Sequence, residues 1–195
     1  MIEIRQTEEY ASWFKRLRNR EARARILARI RRLSLGNPGD VKPAGEGVSE
    51  MRIDFGPGYR IYFIQRGETL VVLLAGGDKR TQKQDIEKAQ ELARGLQEIM
   101  MAKTKTRPWD AAEHLETEKD MVAYIEAALE TGDASLISAA LGDIARAKGM
   151  TAIAREAGLG RESLYKALSP EGNPEFATIL KVIRALGLEL HAKAV

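Results

Sequence analysis

The chain has 195 residues, which is enough for one large domain or for two small domains that each bury a core. It contains no cysteine, so disulfides and thiolate metal sites are excluded. Residues 1–100 carry 19 Lys and Arg against 14 Asp and Glu, whereas residues 101–195 carry 12 against 14. A basic half of this kind favours phosphate-rich partners.

Targeting and membrane segments are not visible. The opening residues, MIEIRQTEEY, carry acids and lack the apolar run of a signal peptide. The longest apolar run, Leu70 to Ala75, is too short to cross a bilayer. We therefore expect a soluble cytoplasmic protein with no membrane partner.

The first elements are predicted to be a strand and two helices. Ile2–Arg5 alternates apolar and polar residues, as a short strand does. Thr7 followed by two glutamates is typical of a helix start, and a second helix is predicted from about Arg20 to the loop signal GNPG. Nine basic residues lie between Lys15 and Arg32, against one acid.

Three strand-like runs follow: VSEMRIDF, YRIYFIQR and TLVVLLAG. The short turns GPG and RGE between them predict an antiparallel meander. A last helix is predicted over about Thr81–Glu98. The order β-α-α-β-β-β-α gives an α+β domain with an antiparallel sheet and two helices on one face.

Residues 1–100 contain no histidine, so a histidine acid/base pair is impossible there. Cations on adjacent strands could instead converge and clamp a scissile phosphate. The candidates are Arg52, Arg60, Lys79 and Arg80. The alternative is that Arg52 and Arg60 are exposed strand residues that pair with Glu50 or Asp54.

The element order and the stretches GEGVSEMRIDFGPGYRIYF and LLAGGDKRTQKQDI resemble the RelE-like toxins of bacterial toxin–antitoxin modules. The similarity is greatest to the HigB-type addiction module killer branch, over residues 1–98. It implies a metal-independent, ribosome-dependent endonuclease that cuts mRNA and needs no cofactor. The four candidate cations occupy the positions of the family's catalytic Lys and Arg residues.

The resemblance leaves proton transfer unassigned. Many family members carry a Tyr near the chain end for that role, and Ile86 stands at the aligned position. Glu50, Asp54 and Asp78 are candidates only.

The segment Lys15–Arg32, called here the basic region, would dock the free toxin on ribosomal RNA phosphates. Contacts with phosphates position a protein without reading sequence. The candidate ribosome-binding residues are Lys15, Arg16, Arg18, Arg20, Arg23 and Arg25.

From Thr117 onward the pattern is helical. Asp133 is a candidate N-cap, and Gly149 is a candidate helix end. In MTAIAREAGLGRESLYKAL, Ala154 and Gly158 have the spacing of a helix-turn-helix. The second half is thus predicted to be an all-α bundle.

The stretch from ALGDIARAKGMTAIAREAG to RALGLEL resembles the addiction module antidote proteins, HigA-like antitoxins with a Cro/repressor-type helix-turn-helix fold. The similarity covers about Trp109–Leu190 and implies a homodimer that binds operator DNA and neutralises a toxin. The candidate DNA-binding residues are Thr151, Arg161, Glu162, Ser163, Tyr165 and Lys166. The alternative is a helical hairpin that only packs and binds no DNA.

Met101 opens a short basic segment that resembles the start of a second gene product. We therefore predict a toxin domain at 1–99, a junction with the antitoxin N-terminal segment at 100–116, and a helix-turn-helix domain at 117–195. The halves are expected to bind each other in cis or in trans, with the acidic segment 109–133 near the basic region. The candidate apolar contacts are Trp109, Leu115 and Tyr124.

The predicted function is a fused toxin–antitoxin protein whose latent endonuclease is held inactive by an autorepressing antitoxin. The alternative is a DNA-binding repressor whose toxin-like half is inactive. No metal site is expected, since the only histidines, His114 and His191, lie in no ligand cluster.

Overall fold

The computed structural model describes residues 1–98, 106–169 and 171–191. The chain forms two compact units: the N-terminal unit, Met1–Asp110, and the C-terminal unit, Ala111–Val195. The first is built on a β-sheet flanked by helices and the second is helical. The prediction of a mixed α/β half followed by an all-α half is confirmed.

The described residues of the N-terminal unit form a sheet of six strands. They are β1 (Glu3–Gln6), β2 (Val41–Pro43), β3 (Val48–Ile53), β4 (Tyr59–Arg66), β5 (Leu70–Asp78) and β6 (Arg107–Pro108). Their order across the sheet is β2-β3-β4-β5-β1-β6. Only β1 and β5 run parallel, so β3, β4 and β5 form the predicted meander. β2 and β6 were not predicted from the sequence.

Three helices pack on this sheet: α1 (Glu8–Arg16), α2 (Arg20–Ser34) and α3 (Gln82–Glu98). The Thr7 hydroxyl accepts from the Tyr10 N–H and the Asn19 side chain from the Ala22 N–H, so both helices begin at capped residues. Ala89 and Ala93 of α3 pack in a cluster with apolar residues of β3, β4 and β5.

Two adjacent glycines show that α1 and α3 lie on opposite faces of the sheet. A Cβ on Gly76 would overlap the ring of Trp13 in α1, and a Cβ on Gly77 would overlap the carboxylate of Asp85 in α3. Successive residues of a strand face opposite sides. Both helices therefore approach the end of β5 too closely for side chains at these positions.

The C-terminal unit is a succession of short helices. A 3₁₀ helix (Ala111–His114) precedes α4 (Glu118–Leu129), α5 (Ala134–Lys148), α6 (Met150–Glu156), α7 (Arg161–Ala167) and α8 (Phe176–Ala185). The Asp133 side chain caps α5 as predicted, and Gly149, with φ 103°, ends it. Gly158, with φ 66°, turns the chain between α6 and α7. Among the described residues, no helix combines the length and apolarity that crossing a membrane requires.

Candidate functional site

Two arginines lie side by side on the face of the sheet that α3 covers. Arg52 of β3 is in register with Arg60 of β4, and Arg60 is in register with Gly77 of β5. Val48 and Tyr62 belong to the cluster under α3, and alternation along each strand places Arg52 and Arg60 on that same face. We call these two residues the cationic row.

A buried carboxylate supports this row. Glu50 is only 4% exposed. Its Oε2 accepts hydrogen bonds from the Gln82 Nε2 at 2.8 Å and from the Tyr62 hydroxyl at 3.3 Å. Burial, followed by the Glu50 charge, raises the pKa of the Tyr62 hydroxyl, which therefore stays a donor. Glu50 is thus held as an acceptor by two strands and the first turn of α3.

Arg60 is nearly buried but weakly paired. Its side chain is 12% exposed, and its Nη1 lies 3.7 Å from the Glu50 Oε1. Its Nε is buried and has no hydrogen-bond partner among the described residues. A buried guanidinium ordinarily engages its donors, because leaving them unpaired is costly. An anion above the row would satisfy the remaining donors.

The other predicted cations have carboxylate partners or face solvent. Arg52 donates to the Asp40 carboxylate at 2.7 Å, and this hydrogen bond is the main reason that the pKa of Asp40 lies below its usual range. Arg80 pairs with Asp78 at 2.7 Å just after β5, and Lys79 is exposed. The structure therefore brings Arg52 and Arg60 together, while Lys79 and Arg80 lie at the end of the neighbouring strand.

Asp85 is a further residue of this site that was not predicted from the sequence. Its carboxylate occupies the space above Gly77, beside Arg60 in the row, and accepts from the Thr81 hydroxyl at 2.6 Å. Burial raises the pKa of the Asp85 carboxyl, the Thr81 hydrogen bond opposes the rise, and the Asp78 charge adds to it. A carboxylate with a raised pKa beside a cation is a candidate for proton transfer.

We expect Asp85→Asn to raise the free energy of unfolding at neutral pH. Because the pKa of Asp85 is higher in the folded than in the unfolded protein, the proton on its carboxyl group stabilises the fold. This contribution is complete below the pKa of the unfolded state and is lost as the pH rises through the pKa of the folded state. Urea unfolding of both proteins at pH 7 and near pH 3 should show the advantage of Asn disappear in acid. An equal difference at both pH values would contradict this explanation.

The predicted ribosome-binding residues fall into two groups. Four are exposed around the end of α1 and the start of α2: Lys15, Arg16, Arg18 and Arg20. Arg23 and Arg25 are half-buried and lie over the rings of Phe14 and Phe55, at 4.7 and 4.8 Å from the ring centroids. Cation–π contact occupies these two side chains.

In the C-terminal unit, an open groove of about 510 Å³ lies between α6 and α7. Three predicted DNA-binding residues line it: Thr151, Arg161 and Tyr165. The Arg161 guanidinium lies 5.6 Å from the centroid of the Tyr165 ring. The other predicted residues, Glu162, Ser163 and Lys166, are exposed on α7.

Arg146 also lines this groove and was not predicted. It donates to Asp143 at 2.7 Å, and Asp143 accepts from the buried Tyr124 hydroxyl at 2.9 Å. Tyr124 and Leu115, two of the candidate apolar contacts between the halves, are buried. No group of His, Asp or Glu suited to a metal ion occurs within residues 1–98, 106–169 and 171–191.

Two known protein families match successive parts of the chain. Residues 12–98 match a family described as phage derived protein Gp49-like, and residues 105–194 match one described as probable addiction module antidote protein. The chain is also similar to two uncharacterized proteins of Haemophilus influenzae. One is 48% identical over 95 residues, which cover 49% of this chain and 96% of the relative. The other is 49% identical over 87 residues, which cover 45% and 90%. No solved structure matches the chain.

Proposed function

Because the chain belongs to the Gp49-like family through residues 12–98 and to the addiction module antidote family through residues 105–194, we propose that it joins a toxin to its antitoxin. Each Haemophilus influenzae relative is matched over nearly its whole length by about half of this chain. Each of these relatives is thus about as long as one half of this chain.

The toxin is a HigB-type, RelE-like endonuclease that cuts mRNA on the ribosome. In this reaction the 2′-oxygen of one nucleotide bonds to the adjacent phosphorus, and the bond from phosphorus to the next 5′-oxygen breaks. One proton leaves the 2′-hydroxyl and one reaches the 5′-oxygen. The nearly buried guanidinium of Arg60 is the observation that carries this proposal, because its charge is only loosely matched by the Glu50 carboxylate and can bind a phosphate.

The remaining roles follow from position. Arg52 adds positive charge beside Arg60, where negative charge develops on the phosphate. Asp85 takes the 2′-hydroxyl proton, because a raised pKa makes it a stronger base than an ordinary aspartate. Glu50 positions Arg60 through their contact at 3.7 Å. Lys79 and Arg80 flank the messenger at the strand end.

Docking on the ribosome uses the exposed cations at the turn between α1 and α2. Lys15, Arg16, Arg18 and Arg20 are exposed, whereas Arg23 and Arg25 are half-buried over aromatic rings. Contacts of this kind with RNA phosphates supply affinity that falls with salt.

The C-terminal unit is a HigA-like, Cro/repressor-type antitoxin with a helix-turn-helix formed by α6 and α7. Arg161 and the exposed side chains at the N-terminal end of α7 meet base edges, and Lys166 and Thr151 meet phosphates. The unit acts as a homodimer that reads a palindromic operator and represses its own gene. Arg146 at the groove adds a further phosphate contact.

A second candidate is a DNA-binding repressor whose toxin-like unit is inactive. It is favoured by Ile86, which stands where the toxins that this half resembles carry Tyr. The Ile86 side chain packs against the core under α3 and cannot transfer a proton.

Expression of residues 1–98 alone separates the two candidates. We expect this fragment to stop growth and to leave cut mRNA, whereas the full chain does neither. Circular dichroism of the purified fragment controls for folding. A folded fragment that leaves growth and mRNA unchanged would support the inactive unit.

A further inference from the structure

We propose that residues 106–110 of the antidote half dock on the toxin half by adding a strand to its sheet, and that the edge of β1 holds this segment without a covalent link. The proposal rests on the proposed pairing of a toxin with its antitoxin. The antidote family match begins at residue 105, yet the compact N-terminal unit extends to Asp110. The five described residues of antidote sequence at 106–110 thus fold with the toxin.

The backbone register supports strand addition. β6 runs antiparallel to β1, with Arg107 opposite Gln6 and Pro108 opposite Arg5. The Trp109 N–H donates to the Ile4 carbonyl at 3.0 Å. Bonded and non-bonded pairs alternate in an antiparallel ladder, so Pro108 falls at a non-bonded position. The proline therefore costs the ladder no donor.

An arginine holds the segment on one face of the sheet, and a tryptophan of the segment lies on the other. On one face, the Arg5 guanidinium donates from Nε to the Thr106 hydroxyl at 2.9 Å and from Nη2 to the Thr106 carbonyl at 2.7 Å. On the other face, Trp109 follows the register of the buried Ile4 and is itself only 9% exposed. A short strand with an arginine clamp and a buried tryptophan has the features of peptide binding by β-augmentation.

The β1 edge needs such a partner. β1 has four residues and pairs with β5 on its other side. Without β6, the outward backbone groups of Ile4 and Gln6 would lose their protein partners and present an open edge. The toxin sheet therefore offers a vacant strand position that the antidote segment fills.

The segment anchors the antidote without covering the cationic row. β6 is three strands from β4, which carries Arg60, and strands lie about 4.8 Å apart, so the separation is roughly 14 Å. Docking by this strand and inhibition of cleavage are consequently separable properties.

The test uses the full chain with a protease recognition sequence inserted between Met100 and Met101. The folded protein is cut, and gel filtration at successive dilutions gives the concentration at which the fragments separate. We expect the fragments to stay together at micromolar concentration. Arg107→Pro removes a donor at a bonded position and should raise the separation concentration about tenfold or more. Pro108→Ala, at the adjacent non-bonded position, should change it by less than about twofold.

Trp109→Ala, which keeps the backbone donors, should also weaken the cut complex, and circular dichroism of each uncut variant checks its fold. The proposal is overturned if wild-type fragments separate as soon as they are cut. It is equally overturned if Arg107→Pro and Pro108→Ala separate at the same concentration as wild type. Because the readout is association, the result does not depend on nuclease activity. An inactive toxin would refute the proposed function and leave strand docking standing.

Discussion

Arg60→Ala is expected to reduce the rate constant of mRNA cleavage by the toxin unit about 100- to 1000-fold. The guanidinium is nearly buried, it is only loosely paired with Glu50, and its Nε has no partner among the described residues. Removing it therefore removes the main stabiliser of charge on the phosphate. The measurement is single-turnover cleavage of ribosome-bound mRNA by purified residues 1–98.

The matched control is Arg66→Ala, which removes an arginine from the other end of the same strand. It should leave the rate constant within about twofold of wild type, since Arg66 is distant from the row. Arg60→Lys should recover only part of the loss, because an ammonium keeps the charge but not the planar set of donors. Equal rates for Arg60→Ala and Arg66→Ala would remove Arg60 from the mechanism.

The α+β order of the first half was predictable because its elements carry local signals. Thr7 and Asn19 are side-chain caps, and the three long strands have strand composition and short turns. β2 gave no such signal, since it has three residues and ends in Pro43. β6 gave none either, because its pairing depends on β1, about 100 residues earlier in the chain.

The part of the candidate site that depends on the strands was predictable, and the part that depends on α3 was not. Alternation along β3 and β4 is enough to place Arg52 and Arg60 next to each other once the meander is recognised. The support of Glu50 by Gln82, and the position of Asp85 above Gly77, depend on where α3 lies against the sheet. Helical periodicity shows which face of α3 is apolar, but it does not show which strand the first turn covers.

In α2, too, helical spacing predicts the apolar face but not the contacts of the other side chains. The apolar residues Ala22, Ile26, Ile30 and Leu33 recur at helical spacing and are all buried. The spacing did not indicate that Arg23 and Arg25 would lie over aromatic rings, because Phe55 belongs to a distant loop. Charge counts alone therefore overestimate the cations that are available to RNA.

Gly76→Ala is expected to lower the free energy of unfolding of the N-terminal unit by about 1–3 kcal/mol. The added Cβ would lie within 2.6 Å of three carbon atoms of the Trp13 ring. Trp13 is itself confined by Tyr10 and Phe14, whose ring centroids lie 5.8 and 6.4 Å from its own. α1 must therefore move away from β5, and this movement loses packing on both sides.

Gly95→Ala supplies a control of opposite sign. Gly95 lies within α3 with nothing within 4 Å of an added Cβ, so alanine should stabilise the unit by up to about 1 kcal/mol. Both tryptophans of the chain, Trp13 and Trp109, lie in the N-terminal unit, so their fluorescence during urea unfolding reports on this unit alone. If Gly76→Ala unfolds at the wild-type urea concentration, the close approach of α1 to β5 is absent in solution. If only Gly76→Ala is destabilised, the cause is contact with Trp13, because any general effect of replacing glycine would appear in both variants.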